Sequence, residues 1–174
     1  MNGKFKTTIF APMLIFFGLL FDGLISAVFS EYLYTENGSV MVPRLIILIF
    51  VLLSFYLPRN KMILYGIIFG FLYDSYYVGI LGVYVAIFPL IVYVTNSLKQ
   101  VLNPNPITIG MMIFINLTIL ETMLYWIYKI LGFTIIDMNT FMAGRLGPTL
   151  LLNLVFFIFT FYPLKKLILK MTGN

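Results

Sequence analysis

Hydrophobic residues fill most of the chain and fall into six continuous segments separated by short polar stretches. The segments cover residues 7–29, 43–57, 62–73, 79–98, 107–131 and 146–169. Because the apolar runs are continuous and do not alternate with polar residues, they predict helices and not the strands of a membrane barrel. Prolines mark two of the boundaries, with Pro58 at the end of the second segment and NPNP at residues 103–106 before the fifth.

The segments differ in length. The first, fourth, fifth and sixth come close to or exceed the roughly 20 residues that cross a bilayer as a helix. The second and third are shorter, so an alternative with five spans would make one of them re-entrant. The distribution of charge along the chain favours six spans over five.

With six spans, one side of the membrane carries only basic residues. These are Lys4, Lys6, Arg59, Lys61, Lys99, Lys165, Lys166 and Lys170. The other side combines acidic and basic residues: Glu31, Glu36, Asp74, Asp137, Arg44, Lys129 and Arg145. Basic residues concentrate in cytoplasmic loops, so this pattern predicts a multi-pass protein of the cell membrane with both termini in the cytoplasm.

Composition narrows the class of protein further. The chain has 174 residues, of which 61% are hydrophobic and 10% charged, which leaves too little polar surface for a soluble domain. We therefore predict an all-α integral membrane protein that forms a single domain over residues 1–174. Cysteine and histidine are absent, which excludes disulfides and thiolate metal sites and removes the usual proton shuttle. Asp22, Asp74 and Glu121 could act as a carboxylate pair or bind a hard cation, but nothing in their spacing favours this, so we expect no metal site, no cofactor and no enzyme activity. The net charge of +5 suits anionic lipid headgroups and gives no reason to expect nucleic-acid binding.

Ionisable residues also occur at membrane depth, where they are costly and often functional. Those in or beside the outer halves of the predicted spans are Asp22, Arg44, Asp74, Glu121 and Arg145. Two interpretations fit this shared depth. The residues could form a partly buried ion-pair network that fixes helix docking, with Asp74 paired to Arg44 or Arg145, or they could line an outward-facing pocket for a solute or protons. We favour docking.

Small residues predict close helix contact in the middle of the chain. Gly66 and Gly70 lie four residues apart on one helix face, which permits a second helix to approach. Gly79 and Gly82 follow the polar turn that begins at Asp74. These five residues together predict a docking element, either for a helix of the same chain or for a partner.

Two stretches of the sequence resemble the bacterial rod shape-determining MreD family, and the resemblance covers nearly the whole chain. The first stretch contains Gly66, Gly70, Asp74, Gly79 and Gly82. The second is RLGPTLLLNLVFF, which contains Arg145, Pro148, Thr149 and Asn153 and is followed by Lys165 and Lys166. The pair Asp22-Gly23 in the first span and the length of the chain also fit the family.

The resemblance implies a non-enzymatic membrane scaffold of the cell-shape and elongation machinery. It implies binding to the single-span protein MreC and, through a larger complex, to MreB, RodA and a class B penicillin-binding protein during lateral peptidoglycan synthesis. The helix of MreC is expected to dock against the glycine-bearing third and fourth segments. The family's fold resembles the substrate-binding subunits of energy-coupling-factor transporters, so the alternative is a small-solute, vitamin-like binding subunit of a transporter.

Overall fold

The computed structural model describes residues 2–35 and 38–172, with side chains described for residues 9–35 and 38–170. Glu36 and the side chains of Lys4 and Lys6, which entered the charge pattern, lie outside the described residues. The described chain is built from helices and contains no β-strand, only one isolated bridge between Tyr34 and Val40. The predicted all-helical class is therefore confirmed.

Eight α-helices and two π-helical turns make up the described fold. The α-helices are α1 (Asn2–Val28), α2 (Ser30–Leu33), α3 (Leu45–Tyr56), α4 (Arg59–Tyr73), α5 (Val83–Leu98), α6 (Pro106–Ile130), α7 (Met138–Phe141) and α8 (Gly147–Thr172). The π-helical turns are Asp74–Val78 and Met142–Leu146. Each predicted apolar segment thus overlaps one of the six longer helices, with ends that differ by a few residues.

Three stretches of helix are long and apolar enough to cross a membrane: Ile9–Val28, Pro106–Ile130 and Met138–Lys170. The helices α3 and α5 are apolar but shorter, at 12 and 16 residues. The six-span arrangement and the likeness to transporter subunits stay predictions.

The short helix α3 occupies the centre of the bundle. Its residues from Ile46 to Ser54 are all buried, and it contacts α1, α4, α5, α6 and α8. At 1.5 Å per residue, its 12 residues extend about 18 Å, which is less than the roughly 30 Å of the hydrocarbon layer. The buried start of α3 therefore needs hydrogen-bond partners within the protein.

The helices α4 and α5 form a tightly packed hairpin through the two glycines of α4. A Cβ atom on Gly70 would lie 2.5 Å from the carbonyl oxygen of Tyr84, and one on Gly66 would lie 3.0 Å from the nitrogen of Pro89. The turn that follows uses Gly79 and Gly82, whose φ angles of 73° and 110° are strained for any side chain. The glycine face of α4 is therefore covered by α5 of the same chain.

Candidate functional site

Arg44 lies immediately before α3 and has only 3% of its side chain exposed. Its Nε and Nη2 atoms donate hydrogen bonds of 2.9 and 2.7 Å to Glu121 Oε1 on α6. Its Nη1 donates a 2.8 Å hydrogen bond to the hydroxyl of Tyr73 at the end of α4. One guanidinium therefore connects three helices, which is a use suited to its fixed fork of donors.

Glu121 is fully buried and is shared by two arginines. Its Oε2 atom accepts a 2.9 Å hydrogen bond from Arg145 Nε in the second π-helical turn, where 30% of the arginine side chain is exposed. We call Arg44, Glu121 and Arg145 the charge cluster. A charge at this depth is tolerated because each oxygen of Glu121 has a cationic donor.

Asp22 is buried beside the charge cluster and serves the start of α3. Its Oδ1 accepts a 2.6 Å hydrogen bond from the backbone N–H of Leu45, and its Oδ2 accepts one of 3.2 Å from Ile46. The first N–H groups of a helix have no partner within the helix, and a carboxylate there is also attracted to the positive end of the helix dipole. Asp22 is thus a cap provided by α1.

Thr149 and Asn153, one turn apart on α8, hold the segment that leads into α3. The Oδ1 of Asn153 accepts a 2.8 Å hydrogen bond from the backbone N–H of Arg44, and its Nδ2 donates one of 2.8 Å to the carbonyl of Val42. The hydroxyl of Thr149 accepts a 3.2 Å hydrogen bond from the N–H of Val42. Pro148 lies where α8 continues from the second π-helical turn, and the carbonyl of Gly144, four residues before it, accepts a 2.7 Å hydrogen bond from the N–H of Val40 instead.

Asp74 does not pair with either arginine, contrary to the pairing expected from the sequence. Its carboxylate accepts hydrogen bonds from the backbone N–H groups of Gly82 at 2.8 Å, Tyr84 at 2.9 Å and Val85 at 3.3 Å. The π-helical turn that begins at Asp74 folds the chain back, so the carboxylate lies under the first turn of α5. Asp74 therefore caps α5, as Asp22 caps α3.

Two aromatic residues that the sequence pattern did not identify, Tyr73 and Tyr84, lie beside the charge cluster. The rings of Tyr73 and Tyr84 stack with centroids 4.2 Å apart, and the Arg44 guanidinium lies 5.5 Å from the Tyr84 centroid. One feature of the sequence indicates Tyr73: it directly precedes the ionisable residue Asp74 within an apolar segment. A tyrosine buried there needs a hydrogen-bond partner for its hydroxyl, which places it near other polar groups.

A cavity of about 370 Å³ lies beside Tyr73. It is lined by Asp22, Gly23, Ser26, Ala27, Tyr34, Val42, Tyr73 and Tyr77. Tyr77, one of the lining residues, donates a 3.0 Å hydrogen bond to the backbone carbonyl of Leu19 on α1. Gly23 makes room for this contact, since a Cβ atom there would overlap the Tyr77 hydroxyl. We call this space the α1 cavity.

The site has the chemistry of a structural junction. Both oxygens of Glu121, all three guanidinium nitrogens of Arg44 and the carboxylates of Asp22 and Asp74 are hydrogen-bonded within the chain. Among the described residues, no group of three or more acidic, histidine or cysteine side chains could hold a metal ion. The arrangement joins α1, α3, α4, α6 and α8 at one end of the bundle.

The family model for rod shape-determining protein MreD matches residues 4–171 of the chain. The rod shape-determining protein MreD of Bacillus subtilis (strain 168) is 30% identical over 121 residues, which cover 70% of this chain and 70% of that protein. No solved structure matches the chain significantly. Because the family model extends over almost the full length, including every residue of the charge cluster, the chain belongs to the rod shape-determining protein MreD family.

Proposed function

We propose that the protein is a non-enzymatic membrane scaffold that binds the single-span protein MreC and helps to organise lateral peptidoglycan synthesis. A role in the rod-shape machinery follows from membership of the MreD family. The observation that carries the scaffold assignment is the charge cluster, whose buried ions are bound to one another and fix the docking of helices. RodA, a class B penicillin-binding protein and MreB complete the proposed assembly.

In this proposal the chain crosses the bacterial cell membrane six times with both termini in the cytoplasm. The charge pattern supports this orientation, because the loops next to Arg59, Lys61 and Lys99 are basic. The polar end of the bundle, with the charge cluster, then faces the outer side.

The partner surface that we propose is the outward face of α4. The glycines of α4 cannot be that surface, because α5 covers them. The opposite face carries Leu64, Ile67, Ile68 and Phe71, with exposed fractions between 44% and 54%. Membrane helices associate through close side-chain packing, so a continuous apolar face beside the rigid α4–α5 hairpin suits a single membrane helix.

Copurification of MreC from native membranes tests the proposal. The double variant Ile67→Ala and Phe71→Ala should lose MreC, because it removes packing groups without touching the core. The matched control is Ile158→Ala with Phe159→Ala on the exposed face of α8, which should retain MreC. Equal recovery of MreC with both double variants, at equal levels in the membrane, would exclude the α4 face. No recovery even with the unmodified chain would exclude MreC binding itself.

The second candidate function is a small-solute binding subunit of a transporter, and the α1 cavity is the observation that favours it. A subunit of this kind should copurify with a transporter ATPase module. A scaffold should not, so the same purification separates the two functions.

A further inference from the structure

We propose that the α1 cavity is a binding site for an ammonium group, carried either by a lipid headgroup or by a small soluble amine. The proposal goes beyond the scaffold function and holds whichever partner the protein binds. It rests on the size of the cavity, on the charge of its lining and on its aromatic walls.

The cavity has the dimensions of a ligand site. Its volume of about 370 Å³ falls at the lower end of the roughly 300–1,000 Å³ typical of small-molecule sites. Its lining combines small and apolar residues with a few residues that carry polar groups, which are one aspartate, one serine and three tyrosines. Such a mixture can orient a polar group whose remaining atoms are apolar.

The charge of the lining selects a cation over an anion. Asp22 is the ionisable acid among the described lining residues, and neither lysine nor arginine lines the cavity. Arg44 of the charge cluster lies 5.9 Å from the centroid of the Tyr73 ring and is bound to Glu121 and to the Tyr73 hydroxyl. Its charge is therefore partly balanced by Glu121.

Asp22 retains the capacity to bind a further donor. A carboxylate has about four lone-pair sites. The backbone N–H groups of Leu45 and Ile46 occupy one site on each oxygen. An ammonium group in the cavity would therefore add to the helix cap and would not compete with it.

Three tyrosine rings complete the site. Tyr34 comes from the segment after α2, Tyr73 from the end of α4 and Tyr77 from the first π-helical turn. Cations are attracted to the faces of such rings, and cages of aromatic residues are a known means of binding ammonium ligands. A carboxylate together with three aromatic rings is a combination that favours ammonium over a neutral sugar or an anion.

The contact between Tyr77 and α1 keeps this wall in place. Tyr77 is bound to the carbonyl of Leu19 across Gly23, while 44% of its surface is exposed. Tyr77 is therefore fixed at its hydroxyl and partly exposed, so the lining of the cavity includes surface that a headgroup or an amine can reach.

Thermal unfolding of the purified full chain in detergent tests the proposal. The probes are ethanolamine and choline at millimolar concentration, with ethylene glycol and sodium chloride as neutral and ionic controls. A second arm uses nanodiscs of phosphatidylglycerol alone or mixed with phosphatidylethanolamine. Binding to the folded state should raise the unfolding midpoint by about 2 °C or more for the amine probes.

A steric variant ties any effect to the cavity. Ala27→Phe fills the space, and Val28→Phe places the same ring on the adjacent residue, which is 64% exposed and does not line the cavity. Stabilisation of the unmodified chain and of Val28→Phe, with none in Ala27→Phe, supports the proposal. An effect of the soluble amines identifies a small ligand, and an effect confined to phosphatidylethanolamine identifies a lipid headgroup.

The proposal is overturned if neither the soluble amines nor phosphatidylethanolamine raises the midpoint, or if Ala27→Phe responds as strongly as the unmodified chain. An equal effect of phosphatidylglycerol alone would also overturn it, because that headgroup lacks an ammonium. If Ala27→Phe does not fold, Tyr34→Ala replaces it, with Tyr32→Ala as the control outside the cavity. Tyr34→Ala should weaken amine binding about fivefold, and an unchanged affinity counts against the site.

Discussion

Replacement of Glu121 by glutamine should cost the protein a large part of its stability. Glutamine keeps the shape of the side chain but has a single acceptor oxygen, so its amide nitrogen would face a donor of one arginine. Arg44 is 3% exposed and would keep a buried charge without an anion. Loss of one partner of a buried ion pair typically costs about 3–5 kcal/mol. The bond to Arg145 contributes less, about 0.5–1 kcal/mol, because that side chain is 30% exposed.

Denaturant unfolding in detergent micelles measures this loss. We expect the free energy of unfolding of Glu121→Gln to fall by about 3 kcal/mol or more, and that of Arg145→Gln by about 1 kcal/mol or less. Glu31→Gln removes a charge from an exposed acid in α2 and should change little. The reasoning is refuted if Glu121→Gln loses no more stability than Glu31→Gln. Equal losses for Glu121→Gln and Arg145→Gln would contradict the smaller contribution assigned to the bond with Arg145.

Two further predictions concern α4 and α5. Gly70→Ala should lower the free energy of unfolding by about 1–3 kcal/mol, because its Cβ would lie 2.5 Å from the carbonyl oxygen of Tyr84. The control Ile67→Ala, on the exposed face of α4, should change the free energy of unfolding little. Asp74→Asn should lower the free energy of unfolding by about 1 kcal/mol and speed hydrogen exchange in the first turn of α5. The control Ser75→Ala loses only a hydrogen bond to the carbonyl of Phe71 and should leave that turn protected from exchange. Unchanged exchange in Asp74→Asn would contradict the capping role.

The helical segments and part of the site follow from the sequence for a simple physical reason. Apolar residues in continuous runs form helices, and an ionisable residue inside such a run must find a partner. Arg44, Glu121 and Arg145 were predicted to lie at one depth on different segments, and the structure brings them within hydrogen-bonding distance. The shared depth was sufficient to predict this contact because both arginines reach the carboxylate of Glu121.

Asp74 shows why depth alone is not sufficient. Its position along α4 indicated an ion pair with an outer arginine, but depth does not determine the direction in which a side chain points. The π-helical turn changes that direction, and the N–H groups of Gly82 and Tyr84 come closer than any arginine. Every residue except proline has a backbone N–H, so the sequence does not show which of these groups an acidic side chain will bind. An aspartate that caps a distant helix therefore cannot be distinguished, from the sequence alone, from one that forms an ion pair.

The length of α3 connects these polar residues to one another. A helix of about 18 Å whose residues from Ile46 to Ser54 are all buried begins inside the protein, so the free N–H groups of its first turn need partners from the chain itself. At its start, Asp22 binds two of these N–H groups and Asn153 binds the N–H of Arg44. At its other end, Lys99 donates a hydrogen bond to the carbonyl of Ser54. The polar residues from α1, α8 and the end of α5 therefore supply the hydrogen bonds that a short central helix needs in an apolar bundle. The same caps also fix the positions of the neighbouring helices.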